Sequence, residues 1–359
     1  MMINSRRSSF LSRSFLIRAG GLRLSQGLSD AARSSLFRNG PSGRNYSVTT
    51  SRSDEVKSSG DVRNVTIIGA GLMGSGIAQV MAQAGLSVTL KGLNDSNADQ
   101  ARSTILKSLG RISKKKFPDD GQVKDRQALV DSVISRIKFS NSIRAIADGE
   151  NRPDLIVEAI VENLEIKREL FTRLDQNVRS EDCIFASNTS SLRISDISSV
   201  LPQNRQRNFA GLHFFNPVPQ MKLVEIVKAS ETSPEVIDRL ASLSKFIGKT
   251  PVRCKDTPGF IVNRLLVPFL LESMRMLERG EATKEDIDTA MKLGAGHPMG
   301  PIELSDYVGL DTMKFISDGW RNERGGEIEE GLVKPVEALD RLVSHSKLGT
   351  KTKEGFYKY

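Results

Sequence analysis

A short apolar run followed by closely spaced glycines constrains the fold of this 359-residue chain more than any other feature. Residues 65–68 have the composition of a buried strand, and Gly69, Gly71 and Gly74 follow them in G-x-G-x-x-G spacing. Apolar residues then recur at helical intervals as far as Gly85, which is a natural C-terminal stop for a helix. The segment therefore predicts a strand, a tight turn and a helix in direct succession.

Each of the three glycines in this turn is needed for a different physical reason. Gly69 permits the tight turn, Gly71 lets the backbone approach a pyrophosphate, and Gly74 lets the helix pack against the strand. The N-terminal N–H groups of the helix then point at the anion. Because a second strand over residues 87–90 completes the order, the pattern predicts a dinucleotide site in a doubly wound α/β sheet, and a purely structural glycine turn is the weaker alternative.

The end of the second strand departs from this pattern. An acidic residue about twenty positions after the glycines ordinarily binds the hydroxyls of the adenine ribose. Here the strand ends in Lys91 and Gly92, and Asp95 follows three residues later on a predicted loop. Loss of the carboxylate beside a gained lysine removes repulsion against a 2′-phosphate. NAD is the predicted cofactor, and NADP is the alternative that this departure leaves open.

Two polar residues interrupt apolar strands between residues 210 and 227. His213, one of three histidines in the chain, lies in "FAGLHFF", and Glu225 lies in "KLVEIV". The link "NPVPQ" is too short for a parallel crossover, so the strands are predicted to be antiparallel neighbours. Pairing centred on Pro219 sets His213 opposite Glu225, with Cβ atoms about 4.5–5.5 Å apart.

A histidine held in this way has a chemical use. A carboxylate on one ring nitrogen fixes the tautomer, and the other nitrogen then accepts a proton from a substrate hydroxyl. Proton removal as hydride departs to a nicotinamide is what the oxidation of an alcohol requires. A buried pair that only holds two strands together is an equally good reading of the spacing alone.

The charge of the chain is concentrated at its N-terminus. The net charge is +9, and residues 1–53, with nine arginines and the single acid Asp30, carry +8 of it. The folded body is therefore close to neutral, which argues against a nucleic-acid partner. Residues 1–50, rich in Arg and Ser, resemble a transit peptide and predict import into the mitochondrial matrix, and a basic tail without a targeting role is the alternative.

Other sequence features exclude several classes of protein. No apolar run approaches the eighteen residues of a membrane span. Cys183 and Cys254 stand 71 positions apart without a neighbouring cysteine, so no metal site is expected and both are interpreted as buried thiols.

The pattern of elements divides the chain into two predicted domains. Strands and helices alternate over residues 60–255, which predicts a Rossmann-type domain, and "RCKDTPGF" (253–260) is interpreted as a linker. Residues 258–359 are predicted to be helical, with a first helix over 261–279 and Thr283 as the N-cap of the next. Apolar residues cover more than one face of that first helix. This predicts dimerisation through it, or packing within its own domain.

Motifs over residues 62–359 resemble those of the short-chain L-3-hydroxyacyl-CoA dehydrogenase family. The resemblance implies a Rossmann-type sheet domain followed by an all-helical domain. It also implies oxidation of (S)-3-hydroxyacyl-CoA to 3-ketoacyl-CoA with NAD, in mitochondrial fatty-acid β-oxidation, by a homodimer. The motifs that carry it are "GAGLMGSGIAQVMAQAG", "DLIVEAIVENLEIKRELF", "FASNTSSL", "GLHFFNPVPQMKLVEIV", "KDTPGFIVNRLL" and "GHPMGPIELSDYVGLD".

The same resemblance implies roles for particular residues. His213 is the general base, Glu225 orients it, and Ser190, Asn216 and Asn263 complete the catalytic set. Ser108 and Lys115 are the implied contacts to coenzyme A. The implied cofactor contacts are Gly69, Gly71, Leu72, Met73, Gly74, Glu162, Lys167, Ser190, Asn216 and Lys351.

The chain also departs from the family, and these departures keep alternatives open. Gly92 stands where the family has Asp, and His297 stands where it usually has an aromatic residue, which is interpreted as a packing variant. His345 lies in a polar segment and is predicted to be exposed. The alternatives are an NADP-preferring enzyme, a dehydrogenase of a smaller hydroxy acid without CoA, and a non-catalytic dinucleotide-binding scaffold.

Overall fold

Eight strands form one sheet in the computed structural model, which describes residues 62–142, 152–323 and 328–359. Their order across the sheet is β3-β2-β1-β4-β5-β6-β7-β8. The predicted transit peptide lies outside the described residues. The strands are β1 (Asn64–Ile68), β2 (Ser87–Lys91), β3 (Ile137–Ser140), β4 (Leu155–Glu158), β5 (Ile184–Ser187), β6 (Phe209–Phe214), β7 (Leu223–Lys228) and β8 (Thr250–Lys255).

Helices connect most of the strands and make up most of the region that follows the sheet. Short 3₁₀ turns occupy Asp120–Gln122, Glu330–Val333 and Thr350–Thr352. The helices are α1 (Leu72–Gln83), α2 (Asp95–Lys116), α3 (Val123–Ile134), α4 (Leu164–Asn177), α5 (Ile194–Ser198), α6 (Gln203–Arg207), α7 (Pro234–Phe246), α8 (Val262–Glu278), α9 (Lys284–Gly294), α10 (Pro301–Val308), α11 (Leu310–Glu323) and α12 (Glu337–Ser344).

The first six strands have the doubly wound arrangement that the sequence predicts. They are all parallel, and the strand order reverses between β1 and β4, so the carboxyl ends of these two strands flank a crevice. β7 then pairs antiparallel with β6, and β8 runs parallel to β7. The switch of direction after β6 is what sets the end of that strand beside the start of β7.

Burial on both faces explains why the central strands are almost continuously apolar. Every residue of β4, β5 and β6 is buried. Side chains alternate along β1 and β4, so that Ile67 packs with α1 and α2, whereas Ile68 packs with α4 on the opposite face. The sheet is therefore covered by helices on both sides, as parallel sheets usually are.

Several element boundaries differ from those that the sequence predicts. Residues 253–255 are the last three of β8 and not a linker, because they pair in register with β7 at the edge of the sheet. Most of β8 is exposed, so it lacks the apolar run that identifies a strand. β4 is shorter than the predicted 154–160, and the first long helix is Val262–Glu278, one residue shorter at each end than the predicted 261–279.

The helical region has a hydrophobic cluster of its own. Leu270 and Met274 of α8 are fully buried in it, and Trp320 of α11 is 3% exposed. Thr283 caps α9 as predicted, because its Oγ1 accepts the N–H of Asp286 at 3.1 Å. Most apolar residues of α8 therefore pack within this region, and Leu265, at 70% exposed, is the exception.

Candidate active site

A cavity of about 720 Å³ lies at the carboxyl ends of β1, β2 and β4, where the strand order reverses. Gly69, Gly71 and Leu72 line one side of it, and residues 159–161 after β4 line another. Leu72 and Val161 are both more than 60% exposed, so the rim of the cavity is apolar. This is the crevice in which a doubly wound sheet binds its ligand.

The glycine turn is shaped to receive an anion. Gly69 has φ +115°, and a Cβ atom on Gly74 would lie 1.7 Å from the carbonyl oxygen of Gly69, so α1 meets the turn too closely for a side chain. A Cβ atom on Gly71 would instead meet nothing within 4 Å. No side chain caps α1, and its first turn has no acidic residue, so its N–H groups face a ligand without competition. A dinucleotide pyrophosphate fits this cradle.

Leu72 and Met73, two of the implied cofactor contacts, differ in where their side chains lie. The side chain of Leu72 lines the cavity. The side chain of Met73 instead packs against the hydrophobic core on the α1 side of the sheet, and Met73 is not among the residues that line the cavity.

Lys91 and Gly92 lie in the wall of the cavity at the end of β2. Partial burial, and secondly the cation of Arg173, hold the pKa of Lys91 below its ordinary value. The Lys91 ammonium donates to the carbonyl of Gly92 at 3.0 Å. Asp95 is not among the residues that line the cavity, because it begins α2 and its Oδ1 accepts a hydrogen bond from Asn141 Nδ2 at 2.8 Å.

His213 and Glu225 are directly opposed on β6 and β7, in the register that the short hairpin predicts. Nδ1 of His213 lies 2.8 Å from Oε2 of Glu225, and the two residues are 3% and 0% exposed. Burial alone would raise the pKa of Glu225, but the hydrogen bond from His213 and those from two backbone N–H groups hold it below its ordinary value. Because an ionised carboxylate only accepts hydrogen bonds, Nδ1 donates to Glu225, and in the neutral imidazole Nε2 is therefore the acceptor.

The two backbone donors to Glu225 come from the start of the helical region. The N–H groups of Ile261 and Val262 lie 3.1 and 2.9 Å from its Oε1 atom. They belong to the N-terminus of α8, where an anion is favoured by the unpaired N–H groups and the helix dipole. One carboxylate thus orients the histidine and caps a helix.

Ser190 lies on the other side of the imidazole. Its Oγ atom is 3.0 Å from Nε2 of His213, and its carbonyl accepts a 3.3 Å hydrogen bond from Asn263 Nδ2 on α8. The phenyl rings of Phe215 and Phe260 flank the imidazole, with ring centroids 4.5 and 5.6 Å away. Ser190, His213 and Glu225 therefore form one hydrogen-bonded chain between apolar walls.

Glu162 organises the loop that carries Ser190. It accepts hydrogen bonds from the N–H groups of Ser190 and Ser191 at 2.9 and 3.0 Å, and from the Thr189 hydroxyl at 2.5 Å. Burial alone would raise its pKa, but the Lys167 charge and these hydrogen bonds hold it below the ordinary value. The preceding residue, Val161, lines the cavity, so Glu162 holds the loop of Ser190 next to the crevice.

Lys167, implied as a cofactor contact, is 1% exposed and already paired. Its Nζ atom lies 2.6 Å from Glu158 and 3.3 Å from Glu162. Glu158 also accepts the Ser187 hydroxyl at 2.6 Å and the N–H of Ile160 at 2.7 Å. Lys167 therefore holds two carboxylates under the loop of Ser190, and its ammonium does not reach the open cavity.

The remaining implied site residues lie further out. Asn216 is exposed in the turn after β6, and Ser108 and Lys115 lie two turns apart on α2, half-buried and exposed respectively. Lys351 makes an ion pair with Asp311 in the helical region. His297 is half-buried, with its ring centroid 5.4 Å from that of Phe269, and His345 is exposed as predicted.

Sequence reasoning missed two site residues. Glu158 is fully buried at the end of β4, and Asn188 accepts the N–H of Phe214 at 2.8 Å, which joins the β5 and β6 ends. A signal for Glu158 was available, because a carboxylate closing the apolar run "DLIVE" is as unusual as Glu225 in its strand. Among the described residues, no group of three His, Cys, Asp or Glu side chains has metal-binding geometry.

The two cysteines differ in their burial. Burial raises the pKa of the Cys183 thiol to about 12. Cys254 is half-buried, whereas the sequence predicts that it is buried.

Over the described ranges, no helix has the length and apolar content that crossing a bilayer requires.

Comparison with known proteins agrees with this geometry. Residues 64–257 match the NAD binding domain of 3-hydroxyacyl-CoA dehydrogenase, and residues 259–359 match its C-terminal domain. The mitochondrial hydroxyacyl-coenzyme A dehydrogenases of Sus scrofa and Homo sapiens are 52% and 53% identical over 298 residues, which cover 83% of this chain and 91% of each relative.

Solved structures of bacterial proteins have the same fold. FadB2 of M. tuberculosis superposes with a TM-score of 0.74 at 38% identity, and the (S)-3-hydroxybutyryl-CoA dehydrogenase PaaH1 of Ralstonia eutropha with 0.74 at 36%. Each comparison covers 83% of this chain and 99% of the other. The glycine turn, the nicotinamide-dinucleotide crevice and both halves of the chain thus have one explanation: the protein is an oxidoreductase of the 3-hydroxyacyl-CoA dehydrogenase family.

Proposed function

We propose that this protein oxidises (S)-3-hydroxyacyl-CoA to 3-ketoacyl-CoA with NAD, with His213 as the general base. The hydrogen-bonded chain from Ser190 through His213 to Glu225 is the observation that carries the proposal. It leaves Nε2 of His213 as the acceptor beside a serine hydroxyl, which is the arrangement needed to take a proton from an alcohol.

Each of the three hydrogen-bonded residues, Ser190, His213 and Glu225, has a role in the proposed reaction. Nε2 of His213 accepts the proton of the substrate 3-hydroxyl, and the Ser190 hydroxyl donates a hydrogen bond to the same substrate oxygen. Glu225 offsets the positive charge that the imidazole gains. A nicotinamide dinucleotide, when bound, supplies the acceptor for the hydride that leaves C3 of the substrate. In the reverse direction His213 returns the proton to the ketone oxygen.

Binding of the two ligands is assigned to different parts of the chain. Gly69, Gly71 and the first turn of α1 would hold the pyrophosphate, since no side chain fills that cradle. Ser108 and Lys115 lie seven residues apart on α2 and so share one helical face, where the Lys115 ammonium would meet a coenzyme A phosphate. Asn216, Asn263 and Lys351 remain proposed contacts.

The proposed function includes a cellular compartment and an oligomeric state. The porcine and human relatives are named mitochondrial, and the arginine-rich N-terminus is typical of an imported protein. We therefore assign the protein to fatty-acid β-oxidation in the matrix. A homodimer is proposed from Leu265, whose side chain on α8 is 70% exposed among the described residues. Light scattering after gel filtration tests the dimer.

The decisive experiment compares the three histidines of the chain. With acetoacetyl-CoA and NADH, His213→Gln is expected to lower kcat by about 10²- to 10⁴-fold, the usual loss for a general base. His345→Gln removes an exposed imidazole and His297→Gln removes one that packs on Phe269, so both are expected to keep wild-type turnover. Turnover of His213→Gln within threefold of the wild type would remove His213 from the mechanism.

The same assay separates the substrate classes. Acetoacetate offered in place of acetoacetyl-CoA carries the same reacting ketone without the coenzyme. Turnover confined to the thioester supports the proposal. Equal turnover of both would make the protein a dehydrogenase of small hydroxy acids, and turnover of neither would make it a dinucleotide-binding scaffold.

A further inference from the structure

The wall of the dinucleotide cavity has an unusual charge for a pocket that would bind an unphosphorylated ribose. Of the sixteen described residues that line it, Lys91 alone is charged, and none is Asp or Glu. The polar side chains among them are neutral, namely Ser75, Asn97, Gln100 and Thr104. A 2′-phosphate entering this cavity would meet one cation and no described carboxylate.

The position that would supply a carboxylate is occupied by glycine. Gly92 follows β2 directly and its N–H donates to Ser140 at 2.9 Å, so the backbone there is part of the sheet edge. A Cβ atom on Gly92 would lie 3.1 Å from the Asn94 carbonyl oxygen and 3.2 Å from Cβ of Asn97, so a side chain fits after shifts of a few tenths of an ångström. A glycine is therefore not required here by the fold.

Neighbouring charges do not compensate for the missing carboxylate. The carboxylate of Asp95 is engaged by Asn141. Lys91 donates one hydrogen bond to Gly92, and among the described residues no carboxylate forms an ion pair with it. An ammonium has three donors, so two remain for a ligand.

We propose that the pocket does not reject a dinucleotide phosphorylated on the 2′-hydroxyl, and that NADP binds nearly as well as NAD. This inference rests on the proposed function and specifies its cofactor. A carboxylate beside the ribose would favour NAD twice, by hydrogen-bonding the hydroxyls and by repelling the phosphate. Gly92 removes both effects, and Lys91 adds an attraction that acts on NADP alone.

Binding of two cofactor fragments tests the inference without any turnover. ADP-ribose and 2′-phospho-ADP-ribose differ only in the phosphate, and titration calorimetry with the full chain measures both. We expect their Kd values to agree within about tenfold, the change that one weak interaction produces. A Kd for the phosphorylated fragment more than about tenfold higher would overturn the proposal.

Substitutions at Gly92 separate the effect of a negative charge from the effect of added side-chain volume. Gly92→Asp is expected to raise the Kd of 2′-phospho-ADP-ribose about ten- to a hundredfold relative to ADP-ribose. Gly92→Ala adds the Cβ atom alone and is expected to leave the ratio of the two Kd values unchanged. A change in that ratio as large for Ala as for Asp would show that space, and not charge, decides it.

Substitutions at Lys91 provide a test that does not depend on how Gly92 variants fold. Lys91→Gln is expected to weaken 2′-phospho-ADP-ribose about three- to tenfold and ADP-ribose hardly at all, whereas Lys91→Arg keeps the wild-type ratio. Equal weakening of both fragments by Lys91→Gln would exclude a contact with the 2′-phosphate.

Activity distinguishes this inference from the proposed function. Oxidation of NADH and NADPH is followed separately with acetoacetyl-CoA. Turnover with NADH alone would support the proposed function and contradict the inference. Turnover with neither cofactor would contradict the proposed function, and the fragment titrations would still decide whether the pocket tolerates the phosphate.

Discussion

Glu225 contacts His213 through one carboxylate oxygen and the N-terminus of α8 through the other. The catalytic imidazole of the proposed mechanism is thus tied to the point where the chain passes from the sheet into the helical region. Because the carboxylate is fully buried, neither contact can be replaced by water without rearrangement.

Glu225→Gln is expected to lower kcat by about a hundredfold, because an amide no longer offsets the charge that His213 gains. The free energy of unfolding should fall by about 1–3 kcal/mol, since hydrogen bonds to a charged acceptor weaken. Steady-state kinetics and urea unfolding measure the two effects. Glu169→Gln, an exposed change on α4, is the control, and a kcat within threefold of wild type in Glu225→Gln would contradict the role of Glu225.

Two glycines of the same turn should respond differently to alanine. Gly71→Ala puts a methyl group into open space, so stability should be unchanged while NADH binds more than about tenfold more weakly. Gly74→Ala forces α1 away from Gly69, so stability should fall by about 1–3 kcal/mol and binding should weaken as well. Thermal unfolding measures the effect of each variant on stability, and NADH fluorescence measures its effect on binding. Equal binding loss without a stability difference would contradict this view of the turn.

Lys167→Met is expected to cost about 3–5 kcal/mol of unfolding free energy, because two carboxylates lose their buried cation. Adding Glu158→Gln should recover part of that loss by removing one of the unpaired charges. Urea unfolding of both variants measures it. A stability loss below about 1 kcal/mol together with weaker cofactor binding would instead make Lys167 a direct cofactor contact.

The ionisation of Glu162 should appear in the pH dependence of stability. Its folded pKa lies below the unfolded value, so the stabilisation is complete above about pH 4.3 and is lost as pH falls through the folded pKa. The difference in unfolding free energy between wild type and Glu162→Gln should therefore be larger at about pH 7 than at about pH 3.5. Urea midpoints at both values test it, and a difference that is independent of pH would show that the charge of Glu162 contributes nothing.

The residues that sequence reasoning placed correctly are those whose partners lie close along the chain. The glycine turn follows from three glycines within six consecutive residues, and the register of His213 and Glu225 follows from the short link between their strands. Apolar runs predicted the central strands because those strands are buried on both faces. The exposed edge strand β8 has no such run, so the sequence places its last three residues, 253–255, in a linker.

The sequence by itself determined a doubly wound sheet, a glycine turn for an anion and a histidine facing a carboxylate, because each depends on local spacing. Only the tertiary structure decided that Glu162 holds the Ser190 loop, that Lys167 is sealed between two carboxylates, and that Glu225 also caps α8. These partners are distant in the sequence, and they become neighbours because the crossover helices bring the ends of different strands to the same edge of the sheet. The spacing of residues along the chain does not specify this arrangement, because it depends on how the helices and strands pack into one core.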